Sequence, residues 1–588
     1  MLNFKTILMK IQNIHQHDVH IDLSQDASNW HFKSKVFSGI CALLFLTVLG
    51  GCKKDLNLVP EDNISDATFY KTAADYKLAA NLLYQGLDQW GTEDTQSDIA
   101  FNNPNSVSNG QLLPTETTAW SGLYANIRNA NNIIDKGATN TDAGIRRFVA
   151  EARFFRAYYY YKLFRLYGGV PLISKVLQTG DEGLFAPRST MVQTADFILA
   201  DLNAAKADLP LQSALPSGDV GRITKGIAMG LAARVALFEG TWLKFRGEAA
   251  ANTYLDAAIA ASQEVMSSGL YALYTGNGAQ SYRYLFLEAG DDSKETMLDR
   301  RYARNIFGHD VPYAYDQDGY NPTRKMADLY LDKNGVPITS AGTVFQGYQT
   351  FVSEYQDRDP RMTMTMIIPG TLTNRVFNSV TKIANWPDNP QRNFNTGYIL
   401  YKYMSEDPAA NNSGRLGTAS LFDFDKHILR YAEVLLTYAE AVYEKNGSIS
   451  DADLDLSINL IRSRAGMPRL TNGFVSVNAL NMRTEIRRER TVELSLEGFR
   501  YDDLRRWKTA EVELPQDIKG IKITGTQWAT RAPYSNATYL SRVDVNGFLI
   551  SETGRKFNPA RDYLQPLPLR EIAFYANSGK KLEQNPGW

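Results

Sequence analysis

The stretch EARFFRAYYYYKLFRLYGGVP, Glu151 to Pro171, leaves little choice of local structure. Phe148, Ala152, Phe155, Tyr159 and Leu163 recur at three- and four-residue spacing, one stripe of a helix. Gly168, Gly169 and Pro171 then stop it, because glycine frees the backbone and proline cannot continue the ladder. The expected helix covers Arg146–Tyr167. Such a stripe has to be covered. Trp120, Tyr124, Ile127 and Ile134 supply a matching helix over Trp120–Asp135, and the short turn between them makes an antiparallel pair.

The pattern recurs along the chain. Ser65 and Asp66 offer a cap for a helix through Tyr76, Leu83 and Leu87, followed by a polar loop from Gly91 to Pro114. Thr190–Leu209 pairs with Lys225–Phe238, and Tyr254–Met266 extends the array. Leu429–Lys445 ends at Asn446-Gly447 and pairs with Leu454–Arg464. Arg483–Glu497 follows, stopped by Gly498. The expected fold is mainly α, a TPR-like superhelix of helix pairs, although the strict TPR sequence pattern is absent.

Between the pairs the texture changes. From Tyr271 to about Phe424 the chain is rich in Gly, Asn, Asp and Tyr. MTMTMII, Met362–Ile368, alternates like a strand, and Ser541–Ile550 reads as a hairpin turning at Asn546-Gly547. The helical frame is therefore expected over about 65–270 and 425–510. Loop-rich insertions with short strands fill about 271–424 and 510–588. Long loops on a rigid frame usually carry function.

The only two cysteines are Cys41 and Cys52. Lys33 and Lys35 flank an apolar run, Val36–Val48, too short for a spanning helix. Leu49-Gly50-Gly51 then puts small residues before Cys52, the pattern of a signal peptide cut at a lipid-bearing cysteine. Residues 1–51 are thus read as leader and signal, 52–588 as one domain, and Cys52 as a lipid anchor rather than a catalytic thiol. Residues 1–32 match no known signal, and are either a long leader or the product of a start placed too far upstream.

The chemistry available is narrow. Beyond the leader only His309 and His427 remain, which rules out a multi-histidine metal site. No HExxH, G-x-S-x-G, P-loop or dinucleotide fingerprint is present. No cofactor is expected. Turns at Asp316–Gly319 and Asp332–Gly335 lack the full Ca²⁺-loop spacing, so no metal is expected either. A formal net charge of −1 without basic blocks gives no pull toward nucleic acid. Glu489, Glu493 and Glu497 fall four apart among arginines. That stripe is either an acid/base pair of a glycosidase or, as favoured here, an ion-pair network between helices.

Several ordered segments resemble one family. They are CKKDLNLVP from Cys52, WSGLYANIRNANNII from Trp120, the Glu151–Pro171 helix, GRITKGIAMGLAARVAL from Gly221 and DRDPRM from Asp357. LRYAEVLLTYAEAVYE from Leu429, INLIRSRAGMP from Ile458, ERTVELSLEGFRYDDLRRW from Glu489 and the terminal EQNPGW complete the set. Together they resemble SusD/RagB-family lipoproteins of Bacteroidetes across nearly the whole mature chain. The resemblance implies an outer-membrane, surface-facing, lipid-anchored protein that is not an enzyme. Its implied partners are a SusC-like TonB-dependent β-barrel transporter and a captured oligosaccharide, or in some members a peptide. A bare protein-interaction scaffold is the other reading, since TPR-like arrays bind partners.

The strong matches are frame residues, so ligand contacts are expected in the loops. The resemblance places the site at the loop after the first helix and in the loop-rich half. Those regions offer Trp90, Asp98, Asn102 and Asn103, then Tyr282, Tyr313, Tyr315 and Trp386. Flat aromatic faces suit pyranose rings and the polar groups suit hydroxyls.

Overall fold

The computed structural model describes residues 69–116, 118–317, 319–373, 383–384, 386, 395–407 and 422–588. Cys52, the signal segment and the cap expected at Ser65-Asp66 lie outside them.

The frame begins with α1, Ala73–Leu83. Its cap is Thr72, which exchanges hydrogen bonds reciprocally with Asp75. Next come α2, Trp120–Gly137, and α3, Ala143–Tyr167, packed on each other as the pattern requires. The Asp142 carboxylate accepts from Gly144 and Ile145 at the start of α3, and Gly168 ends it. α4, Met191–Ala205, lies against α3, and α5, Lys225–Lys244, against α4. α6, Ala251–Ser267, packs on α5, and α7, Tyr431–Asn446, on α6. α8 (Ile458–Ala465), α9 (Met482–Glu493) and α10 (Arg500–Arg506) complete the frame. Consecutive helices are the main neighbours, as in a repeat array.

α3 is the axis of this array. Its stripe is buried, but so are Phe154, Tyr158, Tyr160 and Tyr161 on the other faces. Polar groups survive there because each is paired. Arg156 holds Asp201 of α4 through two bonds of 2.7 Å, and Glu151 accepts from Arg222 at 2.7 Å and from Tyr84 at 2.9 Å.

The strands are short and, among the described residues, pair only two by two. β1 (Ala100–Phe101) pairs with β3 (Asn321–Pro322), and β2 (Thr296–Arg300) with β6 (Lys426–Arg430). β4 (Leu372–Thr373) pairs with β5 (Ile383–Ala384), and β7 (Ile518–Lys522) with β8 (Phe548–Glu552). All four pairs are antiparallel. β2–β6 is the seam, since β6 runs directly into α7.

Two local expectations change and a third holds. Met362–Ile368 is not a strand: Arg361–Thr365 is a short helix, and only Met366 keeps a bridge, to Leu400. Pro360 sits at the helix entry and Asp359 accepts the Arg361 amide at 2.9 Å, so start chemistry overrode the alternation. α9 ends at Glu493 instead of Glu497, where Leu496 takes a φ of 65°. The hairpin at Asn546-Gly547 forms as expected: the Asp544 amide donates to Phe548 O at 2.9 Å, the Ile550 amide to Arg542 O at 2.7 Å, and Val543 bridges Leu549, while the other edge of β8 pairs with β7.

Candidate functional site

The loop after α1 and the loop after β2 meet at an open cleft of about 710 Å³. Tyr84, Leu87 and Phe307 supply its apolar surface, and Asn81, Gln85, Gln89 and Arg222 its polar rim. The first loop is tied to the second by Arg300 at the end of β2, whose guanidinium donates to Leu87 O at 2.9 Å and to Gln85 O at 3.2 Å. Beyond Arg300 the chain makes a tight reversal. The amides of Ala303 and Phe307 each donate to the other's carbonyl at 2.9 Å.

That reversal sets Tyr302 and Phe307 face to face, ring centroids 5.2 Å apart and planes 5° from parallel. The Arg300 guanidinium lies 5.1 Å from the Phe307 ring. Phe307 is 49% exposed and Ile306 86%, which is unusual for side chains that a core would readily take. Tyr302 is held from behind. Its amide donates to Asp425 at 2.7 Å, and its ring meets His309 edge to face at 4.9 Å. Burial raises the Tyr302 hydroxyl above its ordinary value, while Arg300 and a hydrogen bond to the Trp90 backbone oppose that. An exposed Phe307 ring, backed by Tyr302 and set beside the Gln85 and Gln89 carboxamides, can hold a sugar ring and its hydroxyls.

The residues singled out from sequence scatter. Trp90 is half-buried, its ring packed at 5.2 Å on Tyr403, 5.5 Å on His309 and 5.6 Å on Phe424, directly beneath the Tyr302 support. Asp98 is buried in a two-bond ion pair with Arg500 at 2.8 Å. Tyr282 is buried, donating to Glu493 O at 3.0 Å, and Tyr315 is buried, donating to Gly91 O. These three are therefore corrected to packing and ion-pair groups, because no ligand reaches them without opening the core. Asn102 and Asn103 lie together at the end of β1, Asn103 exposed and its amide bonded to Asn102 Oδ1 at 2.7 Å. Tyr313 is half-buried on the short helix Val311–Gln317. Trp386 lies elsewhere, under the Arg531 guanidinium at 3.7 Å and against Phe351 at 5.1 Å. The cleft residues Phe307, Gln85 and Gln89, and Tyr302 behind Phe307, were not singled out. The legible signal was YARNIF, Tyr302–Phe307, an apolar cluster without period inside a polar loop.

The glutamate stripe and both histidines are spent on structure. Glu493 takes Arg430 at 2.8 Å, Arg361 at 3.0 Å and Arg464. Glu489 takes Arg361 at 2.7 Å and Arg462 at 2.8 Å, while Glu497 takes Arg430 and Lys402, both at 2.7 Å. Burial opposes their ionisation, yet these cations hold all three below the ordinary carboxylate range. The stripe is an ion-pair network, without a carboxyl free to act as acid. Burial pulls His309 down to about 4, its Nε2 at 3.0 Å from Phe424 O. His427 is charged instead: burial lowers it, but Asp299 at 2.7 Å overrides that and lifts it to about 9.

Two places could suggest a cation. Glu288, Asp407 and Asp423 cluster, but the Arg304 guanidinium bonds both aspartates, that to Asp423 at 2.7 Å. The Asp332 carboxylate accepts from Asn334, Val336 and Val344 amides and from Thr343, an ordinary turn. The turn at Asp316–Gly319 includes Asp318, outside the described residues.

Comparison with known proteins identifies the family. The SusD family model matches residues 284–588. That is more than half of the 588 residues. The chain belongs to the SusD family. A second model of the same group, described as starch-binding associating with outer membrane, matches residues 70–237. A SusD-like protein of Formosa agariphila is 25% identical over 522 residues, covering 82% of this chain and 92% of that one. A SusD-like protein of Bacteroides ovatus is 25% identical over 472 residues, 77% of this chain and 79% of that one. A solved SusD-like carbohydrate binding protein from Bacteroides fragilis matches with a TM-score of 0.69 and 26% identity, covering 86% of this chain and 98% of that one. A laminarin binding SusD-like protein shares the fold at a TM-score of 0.55 and 18% identity, covering 88% of this chain and 99% of that one. No described helix of this SusD-family chain is long and apolar enough to cross a membrane.

Proposed function

We propose that the protein is a cell-surface lipoprotein, anchored through Cys52 to the outer membrane, that captures oligosaccharide and passes it to a SusC-like TonB-dependent barrel. It binds glycan without cleaving it. The observation that carries this reading is the exposed Phe307 ring, stacked parallel on the half-buried Tyr302, in a cleft rimmed by Gln85, Gln89 and Asn81. A carbohydrate binding relative of the same family supports the ligand class. The family's outer-membrane association and the Leu-Gly-Gly-Cys pattern at Cys52 support the location. Trp90 takes part by holding the support of Tyr302. Asn102, Asn103, Tyr313 and Trp386 remain candidate contacts for a long ligand.

The test is calorimetry and affinity electrophoresis of the purified full chain in detergent against plant, host and microbial glycans and a peptide digest. Reducing-sugar release is followed in parallel. Glycan binding without sugar release, lost in Phe307→Ala, is the expected result. Sugar release would overturn the binding-protein reading. Binding only to peptides would keep the anchor and move the function to peptide capture.

A further inference from the structure

A second open cleft, of about 580 Å³, lies where α9 and α10 meet the loop-rich half. Its lining carries Arg324, Lys325, Arg487, Arg488 and Arg500 against Asp328 and Glu513. Four of the five cations are committed. Arg324 holds Glu354 at 2.6 Å, Lys325 holds Glu513 at 2.7 Å, Arg488 holds Glu485 at 3.1 Å, and Arg500 holds Asp98 at 2.8 Å.

Arg487 is different. Its Nε and Nη2 are enclosed and have no hydrogen-bond partner. Two carboxylates favour its charge from the core side, Glu440 and Glu444, but Glu444 stands 3.7 Å away and is already taken by Arg483 at 2.8 Å and Lys244 at 2.9 Å, and Glu440 by Arg506 and Trp507. The guanidinium is wedged between the rings of Phe245 at 4.8 Å and Trp507 at 4.6 Å, and its 17% exposed part lines the cleft. Burial lowers it to about 10, so it still carries its charge at neutral pH. Because those two nitrogens are sealed in, the cleft-facing edge is the part of the guanidinium open to a further anion.

The rest of the cleft fits a sugar. Tyr348 and Phe548 meet at 5.6 Å and 89°, both half-buried, with Arg324 4.6 and 4.7 Å from their rings. The hydroxyl-bearing Thr339 and Thr484 are exposed at the rim.

We propose that this cleft is a second saccharide subsite, selective for a sugar that bears a carboxylate or sulfate, with the anionic group bonded at the cleft-facing edge of Arg487. It rests on the glycan-binding reading and adds charge selection to it. The guanidinium supplies the bond to the anion, the half-buried Tyr348 and Phe548 rings supply apolar surface, and the threonines meet hydroxyls.

The test is calorimetry on the purified full chain with oligogalacturonides and sulfated galactan oligosaccharides, each against its carboxyl-reduced or desulfated counterpart. An acidic probe is expected to bind about tenfold or more tightly than its neutral counterpart, as one charge-assisted contact gives. The preference should weaken with added salt and vanish in Arg487→Gln. Thr484→Trp, which fills the rim from an exposed position, should also abolish it without touching the core. Acidic and neutral forms binding alike, or a preference that survives both variants, would overturn the inference. If neutral glycans bind and are lost in Phe307→Ala while no charge preference exists, only this subsite falls. If no glycan binds at all, the glycan-binding reading falls with it.

Discussion

Two single residues separate what binds from what merely folds. Phe307 is an exposed ring with a parallel partner and no core to fill. Phe307→Ala should therefore weaken glycan binding roughly tenfold or more, as loss of a central aromatic contact does, with the melting temperature unchanged. Glu239 on α5 is the opposite case. It is fully buried, and both carboxylate oxygens lack a partner. Burial, helped by Asp196, pushes its carboxyl up to about 8 from 4.5. With the folded value raised, no penalty exists below the unfolded value. The penalty grows as pH rises from 4.5 to about 8 and is constant above. Glu239→Met, similar in volume and uncharged, should melt higher than the parent at pH 8, the gain shrinking toward pH 5. A lower melting point at pH 8 would mean that the carboxylate has a role the structure does not show.

At the scale of elements, helix ends decide more than helix middles. α7 stops at Gly447 with φ 73° and ψ 1°, a left-handed cap with nothing within 4 Å of an added Cβ. α3 stops at Gly168 with φ 73° and ψ −127°, a region that suits glycine alone, and an added Cβ would meet Leu564 at 3.0 Å. Gly447→Ala should cost about 1 kcal/mol in urea unfolding, the strain of the left-handed form. Gly168→Ala should cost about 2–3 kcal/mol, because strain and contact add. Equal costs would show that the two caps are alike after all. The short helix Arg361–Thr365 shows the same rule, since its entry at Asp359-Pro360 outweighed an alternating apolar pattern.

Across the whole molecule, one buried network fastens the helical frame to the loop-rich half. Glu493 of α9 gathers Arg430 from the seam strand β6, Arg464 from α8 and Arg361 from the loop-rich half. Glu295, before β2, accepts from Arg430 at 2.8 Å and Arg464 at 3.2 Å. Breaking such a pair leaves enclosed cations uncompensated. Glu493→Gln should therefore cost about 3–5 kcal/mol in chemical unfolding. The pH dependence has a definite sign. Because the folded carboxyls of Glu489, Glu493 and Glu497 lie below 4.5, their contribution is complete above that value and is lost as pH falls through the folded values. The parent should lose stability more steeply below pH 4.5 than Glu493→Gln. Parallel acid curves would rule out the network as the clamp.

Much of the frame was legible in the residues alone. The Phe148–Leu163 stripe, the stop at Gly168 and the end at Asn446-Gly447 are local rules, set by spacing and backbone freedom within one or two turns. The arginines interleaved with Glu489 and Glu493 likewise pointed to an ion-pair network. The lining of the cleft was less legible. Tyr282 and Tyr315 read as loop tyrosines free to meet a ligand, yet the fold closed over both, whereas Tyr302 and Phe307 went unnoticed until the reversal after β2 stacked them. Whether an aromatic ring faces water depends on which distant segments cover it. Period and composition carry no record of that. The sequence by itself determined the helices, their stops and the scarcity of catalytic groups. Only the tertiary structure decided which rings were left exposed, because exposure is what remains after segments hundreds of residues apart have packed.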